Sequence, residues 1–373
     1  MNNFYFRRDL LRTVYRSAAF LIVLCCSVSF GFTQEKPLYT PEEFTKLIRD
    51  FSEPTGFFSS DNWVSNELSY LDVIELLKDT SSRGGAYIGV GPEQNFTYIT
   101  AVKPDIAFIV DIRQMNRMQH LYYKVLFELA ETRAEFLSLL LCKPLDPKKE
   151  KMLKQNHNID SLVIYFYQTS PEQKLRDKIY KQVIEILAKK YSFQLTISEN
   201  SDLTYVMDAF YNYNIDITYN GLRRSWYPTL GQILRSQSSD GKQKNPFYSD
   251  EDYAYLRKMH RENRIIPITG NFAGTKAFSS IAAYLTAKKI TVSAIYVSNV
   301  EQYLLRDYRD WNQWVSNVKA LPITDKSVVI RWTHNGSGMN QLTRLQWVKI
   351  FIKNCDENKY FSYADLTYFD YIK

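Results

Sequence analysis

Two short stretches, Ala86-Tyr-Ile-Gly-Val90 and Ile106-Ala-Phe-Ile-Val-Asp111, are apolar almost without interruption and start 20 residues apart. A strand with one wet face alternates apolar and polar residues, whereas these do not, so both faces should be covered. Strands buried on both faces belong to parallel sheets, and parallel neighbours need a crossover, usually a helix. Runs of the same kind recur, which predicts strands at 86–91, 106–111, 162–167, 264–269, 291–297 and 327–332. Helical periodicity fills the intervals at about 116–141, 171–190, 202–211, 275–288 and 342–352. The expected fold is α/β, a doubly wound and mostly parallel sheet of Rossmann type.

Ahead of the first strand, Thr40-Pro41-Glu42-Glu43 reads as a helix start, with Thr40 as cap, Pro41 in the first turn and Glu43 closing a capping box. That helix runs to about Phe51, and a second lies near Tyr70–Lys78. Together they form a helical N-terminal flank over 35–82, read as a lid or flank beside an α/β domain over 83–373. Short, irregular and aromatic-rich signals mark an insertion at about 192–262. No repeat or Pro/Gly-rich linker divides the chain.

The first 31 residues have a different character. Arg7, Arg8, Arg12 and Arg16 precede an apolar run from Ala18 to Phe32, about 15 residues long, with Ser29 and Gly31 before a plausible cut at Phe32. A membrane-spanning helix needs about 20 apolar residues, so the segment reads as a cleaved export signal, with an uncleaved anchor as the alternative. Phe6-Arg7-Arg8-Asp9-Leu10 also looks like a twin-arginine signal. Lipid attachment at Cys25 or Cys26 is disfavoured by the bulky residues before them. The body is expected to be extracytoplasmic, periplasmic or secreted, touching the membrane only transiently through this segment.

Composition narrows the partners. The chain carries 47 basic and 40 acidic residues, and four of the basic ones fall in the signal. The remainder is interleaved rather than clustered, so no nucleic-acid partner is expected. Cys142 and Cys355 are the only cysteines outside the signal, and their pairing stays open. No Cys/His spacing suits zinc, and no nucleophile elbow, Walker loop or His-Glu-x-x-His is present, so no metal site is expected.

The candidate chemistry clusters at strand ends. Gly89-Val-Gly91 closes the first strand and lets backbone approach a ligand, with free N–H groups at the following helix. Asp111 ends the next strand, where an acid accepts from ribose hydroxyls. The competing reading of the glycines is a tight turn with no ligand. Glu93, Arg113, Asn116 and His120 lie close by in sequence. Asn271, within Gly270–Gly274, and Asn299 and Glu301, after the strand at 291–297, are candidate pocket residues, with helix capping by Asn271 and by Ser298 or Asn299 as the competing reading. Glu93, His120 and Glu301 are the candidate catalytic groups, His120 being either a general base or a structural imidazole. Gly89, Gly91, Glu93, Asp111, Arg113, Asn271, Asn299 and Glu301 are expected to line one cleft for a small-molecule ligand. Asp111 would meet hydroxyls, and Arg113 an anionic group or Glu93. The alternative is a buried pair of Arg113 with Glu93 or Glu301 that only braces loops. The aromatics Tyr205, Phe210, Tyr211, Tyr213, Tyr219, Trp226 and Tyr227 would supply either a stacking surface or core.

Four segments, Tyr87-Ile-Gly-Val-Gly-Pro-Glu-Gln-Asn-Phe-Thr-Tyr-Ile99, Phe108-Ile-Val-Asp-Ile-Arg113, Gly270-Asn-Phe-Ala-Gly274 and Val297-Ser-Asn-Val-Glu-Gln-Tyr-Leu304, resemble an uncharacterised bacterial family, a domain of unknown function. That family is related at fold level to class I S-adenosylmethionine-dependent methyltransferases, and the resemblance spans about residues 40–350. It implies a methyltransferase-like fold, with Gly89 and Gly91 in the glycine loop, Asp111 as the ribose acid and S-adenosylmethionine as the cofactor to test. The third glycine of that loop is absent, because Pro92-Glu93-Gln94 stands there. Three functions stay open: a methyltransferase-like enzyme, an exported enzyme of other chemistry in the same pocket, and a non-catalytic binding protein.

Overall fold

A computed structural model of the protein describes residues 38–155, 158–221, 227–335 and 340–372. The segment expected to be an export signal, 1–31, and Trp226 lie outside them. Strands β1 (Ala86–Gly89), β2 (Ile106–Asp111), β3 (Ile265–Thr269), β4 (Val292–Ser298), β5 (Ile323–Asn335) and β6 (Asn340–Trp347) form one sheet. Its order is β3-β2-β1-β4-β5-β6; all pairs are parallel except β5–β6. Every residue of β1, β2 and β3 is buried, as their unbroken apolar composition requires.

The crossovers are helical throughout. α1 (Pro41–Phe51) begins at Thr40 with both arms of the capping box formed, and α2 (Ile74–Thr80) follows it before β1. α3 (Gln94–Val102) joins β1 to β2. The passage from β2 to β3 is the longest, running through α4 (Gln114–Leu129), α5 (Arg133–Leu140), α6 (Glu150–Lys154), α7 (Ile159–Gln168), α8 (Gln173–Lys189), α9 (Ile197–Tyr213), α10 (Leu230–Arg235) and α11 (Asp250–Arg261). α12 (Ala277–Lys288) precedes β4, and α13 (Val300–Leu304) and α14 (Tyr308–Ala320) precede β5. α15 (Val348–Asp356) and α16 (Tyr363–Tyr368) close the chain. Among the described residues no helix is long and apolar enough to cross a membrane.

Three expectations are corrected. The single helix expected over about 116–141 is two, α4 to Leu129 and α5 from Arg133, because Thr132 caps a new start with Glu135 closing the capping box. Residues 162–167 are helix α7, not a strand. Buried Ile159, Leu162, Val163 and Phe166 follow i, i+3, i+4, i+7 spacing, and the Asn158 side chain accepts from the Asp160 and Ser161 N–H groups at 2.8 and 3.3 Å. A short apolar run without its flanks fits either element. The helix expected over 342–352 is instead β6 up to Trp347, with α15 only from Val348. β6 pairs antiparallel with β5 from Asn335↔Asn340 to Val328↔Trp347, and buried Thr343 and Leu345 alternate with less buried Leu342 and Arg344. Cys142 and Cys355 are free thiols.

Candidate functional site

Strand order reverses between β1 and β4, and their carboxyl ends open a cleft of about 580 Å³. Open α/β sheets bind ligands at this position because the crossovers leave β1 and β4 toward opposite sides. Val90, Gly91 and Pro92 form its edge on the β1 side. Gly91 has φ +81°, a conformation costly for other residues, and open space where a Cβ would be. At Gly89 a Cβ would fall 2.0 Å from Asn95 Oδ1. Asn95 needs that room: its Nδ2 donates to the carbonyls of Val90 (2.9 Å), Gly91 (3.1 Å) and Pro92 (2.7 Å), while Tyr87 donates to its Oδ1 at 2.8 Å. With the Val90 carbonyl drawn inward, the trans peptide turns the Gly91 N–H the opposite way.

A strap, residues 52–69, crosses the ends of the strands. Glu53 donates its N–H to the Thr269 carbonyl and accepts at its carboxylate from the N–H groups of Asn271, Lys276 and Ala277, at the start of α12. Gly56 donates to Ile112 O, and Trp63 to Tyr219 O. Beyond Glu67, Leu68 N–H reaches Gln341 Oε1, and Gln341 returns a bond to Asn66 O. The strap therefore ties β3, β2, the insertion and β6 together, and it brings Phe57, Phe58, Asn62, Asn66 and Glu67 to the cleft.

Glu67 is the residue that sequence reasoning missed. It is 2% exposed and lines the cleft floor, where Oε1 accepts from Ser298 and Oε2 from Gln94 Nε2 at 2.9 Å, with the Tyr296 hydroxyl 3.0 Å from both oxygens. Gln94 in turn donates to Tyr296 Oη and accepts from the Ser65 hydroxyl. β4 ends with Ser298 at φ +50°, an unusual conformation for a non-glycine residue. Burial pushes the Glu67 pKa up to about 7 despite the opposing hydrogen bonds from Ser298, Gln94 and Tyr296. A proton is therefore easily gained or lost there near neutral pH. Gln94 and Ser298 fall inside segments the sequence marks as strand ends. Ser65-Asn66-Glu67 carries no local signal, because its role comes from a distant fold contact.

Asp111, Gly91, Arg113, Asn271 and Asn299 line this one cleft, as the strand-end argument expects. Asp111 and Arg113 are both buried, and they bind each other. Arg113 Nε meets Oδ1 at 2.9 Å, Nη2 meets Oδ2 at 2.7 Å, and the Arg113 N–H adds a third bond to Oδ1 at 3.0 Å. Nη1 of Arg113 then holds the strap carbonyls of Ser60 (2.8 Å) and Asp61 (2.5 Å). This corrects the pairing expected for Arg113: its partner is Asp111, two residues away, and neither Glu93 nor Glu301. Asn271 also accepts from Ala273 N–H at 2.9 Å, so it forms the turn as well as the wall. Asn299 Nδ2 reaches Gln302 at 3.3 Å.

The three candidate catalytic groups and Gly89 do not line the cleft. Glu301 is fully buried in a pair with Arg331, also accepts from Trp314 Nε1 at 2.9 Å, and so braces β5 against α13 and α14. Glu93 accepts the Ser65 N–H at 3.0 Å and borders a separate small cavity of about 20 Å³ with Phe96, Tyr123 and Asn245. Burial raises its pKa to about 7. His120 is buried with Nε2 at 2.9 Å from Gly91 O, and burial lowers its pKa to about 4. A neutral imidazole donating from Nε2 props the glycine loop. Asn116 is buried on α4 and does not reach the cleft. Of the aromatic insertion, Tyr219 and Tyr227 line the cleft, Phe210 packs in the core against Tyr123, and Tyr205 sits on Trp63. Among the described residues no cluster of His, Cys, Asp or Glu could hold a metal ion.

Fold and cleft together define a mixed α/β protein with a mostly parallel six-stranded sheet and a cleft of small-molecule size at its point of strand reversal. Residues 62–365 match the model of a domain of unknown function, DUF7790, and the chain belongs to that family. The matched region includes Glu67 and every expected site residue, but not the strap's first ten residues. No curated protein matches the chain.

Proposed function

We propose that this is an extracytoplasmic protein on a Rossmann-like scaffold that binds a small molecule of nucleoside size in the switch-point cleft. The observation that carries the reading is convergence: the ends of β1, β2, β3 and β4 and the strap all contribute polar side chains to one volume of about 580 Å³. Pockets of roughly 300–1,000 Å³ hold such ligands. The strand order supports the Rossmann-like assignment. Phe58, Tyr219 and Tyr303 bring aromatic rings to the cleft wall, against which a planar group can pack. The apolar run at 18–32 supports export.

The residues do not fit S-adenosylmethionine in the manner the family resemblance implies. A carboxylate accepts at about four sites, and Arg113 fills three of those on Asp111, which leaves too few for both hydroxyls of a ribose. Pro92 and Glu93 also stand where a further glycine would let the donor approach. No methyl-transfer step is derived for this chain. A second reading, an exported enzyme of other chemistry, is favoured by Glu67 alone: a buried carboxyl facing the cleft with a pKa near 7 suits proton transfer.

Mass spectrometry of small molecules released from natively purified protein tests the binding reading, together with melting curves in S-adenosylmethionine, S-adenosylhomocysteine and a nucleoside and nucleotide panel. A co-purifying small molecule, or a stabilising shift with a nucleoside that Glu67→Gln weakens, is the expected result. No released compound and no shift with any of the panel overturns it.

A further inference from the structure

Among the described residues, the charge lining the cleft runs against that of the chain. The whole chain is +7, yet the described residues lining the cleft hold three carboxylates, Glu67, Asp111 and Asp310, and one cationic side chain, Arg113. Arg113 is committed to Asp111. Glu67 is met by neutral donors: one proton from Tyr296, one from Ser298 and one from the Gln94 amide. Against about four acceptor positions on a carboxylate, three donors leave one position open. A buried carboxylate with no counter-ion among the described residues attracts a cation strongly, because little water screens it. The rest of the wall acts in the same direction. Phe57, Phe58, Tyr219, Tyr227, Tyr303 and Trp332 present rings, whose negative faces attract cations and do nothing for anions. Guanidinium groups already sit over two of them, Arg306 at 4.8 Å from Tyr303 and Arg113 at 5.7 Å from Phe58.

We infer that the ligand of this cleft is an organic cation, an amine whose ammonium N–H bonds Glu67 while its apolar or planar body lies among the aromatic rings. The inference rests on the reading of the cleft as a ligand site and adds the charge and the chemical class of what enters. Glu67 fixes the cation, the rings select a body that carries no anionic group, and the Asp111–Arg113 pair keeps the β2 side of the cleft electrically neutral.

Three probes of one shape and different charge test it by calorimetry on the intact protein: phenethylammonium, 2-phenylethanol and phenylacetate, with adenosine as the nucleoside control. Phenethylammonium is expected to bind about tenfold or more tighter than the alcohol, and phenylacetate weakest. In Glu67→Gln the ammonium should lose that advantage while the alcohol keeps its affinity. Equal binding of the three, preference for phenylacetate, or an advantage unchanged in Glu67→Gln overturns the inference. If adenosine binds and phenethylammonium does not, the amine class fails while the cleft reading stands; if nothing binds, both fail. Where Glu67→Gln does not fold, Asp310→Asn serves. This exposed acid is the alternative seat for the cation, and loss of the ammonium preference on its removal refutes the role of Glu67, whereas retention supports it.

Discussion

Arg113 and Asp111 share a strand end and close on each other in a bidentate pair, at 2.9 and 2.7 Å, with Arg113 reaching on to the strap carbonyls of Ser60 and Asp61. The fork geometry explains why an arginine stands there: a lysine has no second arm with which to hold carboxylate and strap together. The pair belongs at once to the β2 end, the strap and the cleft wall.

Asp111→Asn should therefore act on stability and on the strap. It keeps the volume but leaves a buried guanidinium with half its partner, a change that typically costs about 3–5 kcal/mol. Chemical denaturation should give a loss in that range, and hydrogen exchange should rise at 57–62 before it rises in β2. A loss below about 1 kcal/mol would show that the pair does not brace the strap.

The carboxyl of Glu67 makes stability depend on pH in an identifiable window. Its folded pKa is about 7 against an ordinary 4.5, so between those values the folded state holds a proton that the unfolded state has lost. Stability from this group is complete below pH 4.5 and declines as pH rises through about 7. Glu93 acts in the same direction, while His120 and His260, whose pKa values burial lowers, oppose both below about pH 6.5. Comparison with Glu67→Gln isolates one group: the variant should gain on the parent between pH 4.5 and 7, by roughly 3 kcal/mol at most. Melting curves at pH 5 and pH 8 check this, and a constant difference between the two proteins would contradict it.

Glu301 and Arg331 form a second buried pair, closed by Trp314 on one side and by Gln346 on the other, with Arg331 Nη1 at 2.7 Å from Gln346 Oε1. Arg331→Met alone should cost about 3–5 kcal/mol, because it strands a carboxylate in a site that excludes water. Adding Glu301→Leu should recover much of that loss, since paired apolar replacements remove both desolvation penalties. Neither variant should alter ligand binding at the cleft. A double variant no more stable than the single one would show that the ion pair itself sustains the fold here.

Much of the sheet was legible in the sequence because β1 to β4 are buried on both faces, which leaves an unbroken apolar signature. The capping box at Thr40 was legible for a similar reason, being complete within four residues. Where the reading failed, the deciding contact lay far off in the chain. Leu162–Phe166 is as apolar as β2, and only the spacing back to Ile159 and the Asn158 cap mark it as helix. The end of the chain reads as helix until β5 is present to pair with it. At the site, glycine and acid at strand ends were visible, and Asp111, Gly91 and Asn271 do meet at one cleft. Glu67 was invisible: the strap carries it to Tyr296 and Ser298, some 230 residues away, and nothing local requires an acid at that position.

Gly89 and Gly91 stand two residues apart but should respond differently to the same substitution. Gly91→Ala places a methyl in open space at φ +81°, so the cost is conformational only, about 1–2 kcal/mol. Gly89→Ala has ordinary backbone but drives its methyl into Asn95 Oδ1 and the Tyr87 ring, at 2.0 and 2.7 Å. Asn95 cannot retreat without releasing the carbonyls of Val90, Gly91 and Pro92, so the whole loop must shift. Overpacking of this kind costs about 1–3 kcal/mol or more, with the lost hydrogen bonds added to it. Gly89→Ala should thus be the more destabilising of the two in denaturant titrations, while Gly91→Ala, whose methyl projects into open space at the cleft edge, should weaken ligand binding at a smaller loss of stability. The reverse order would mean that Asn95 is not what holds the loop.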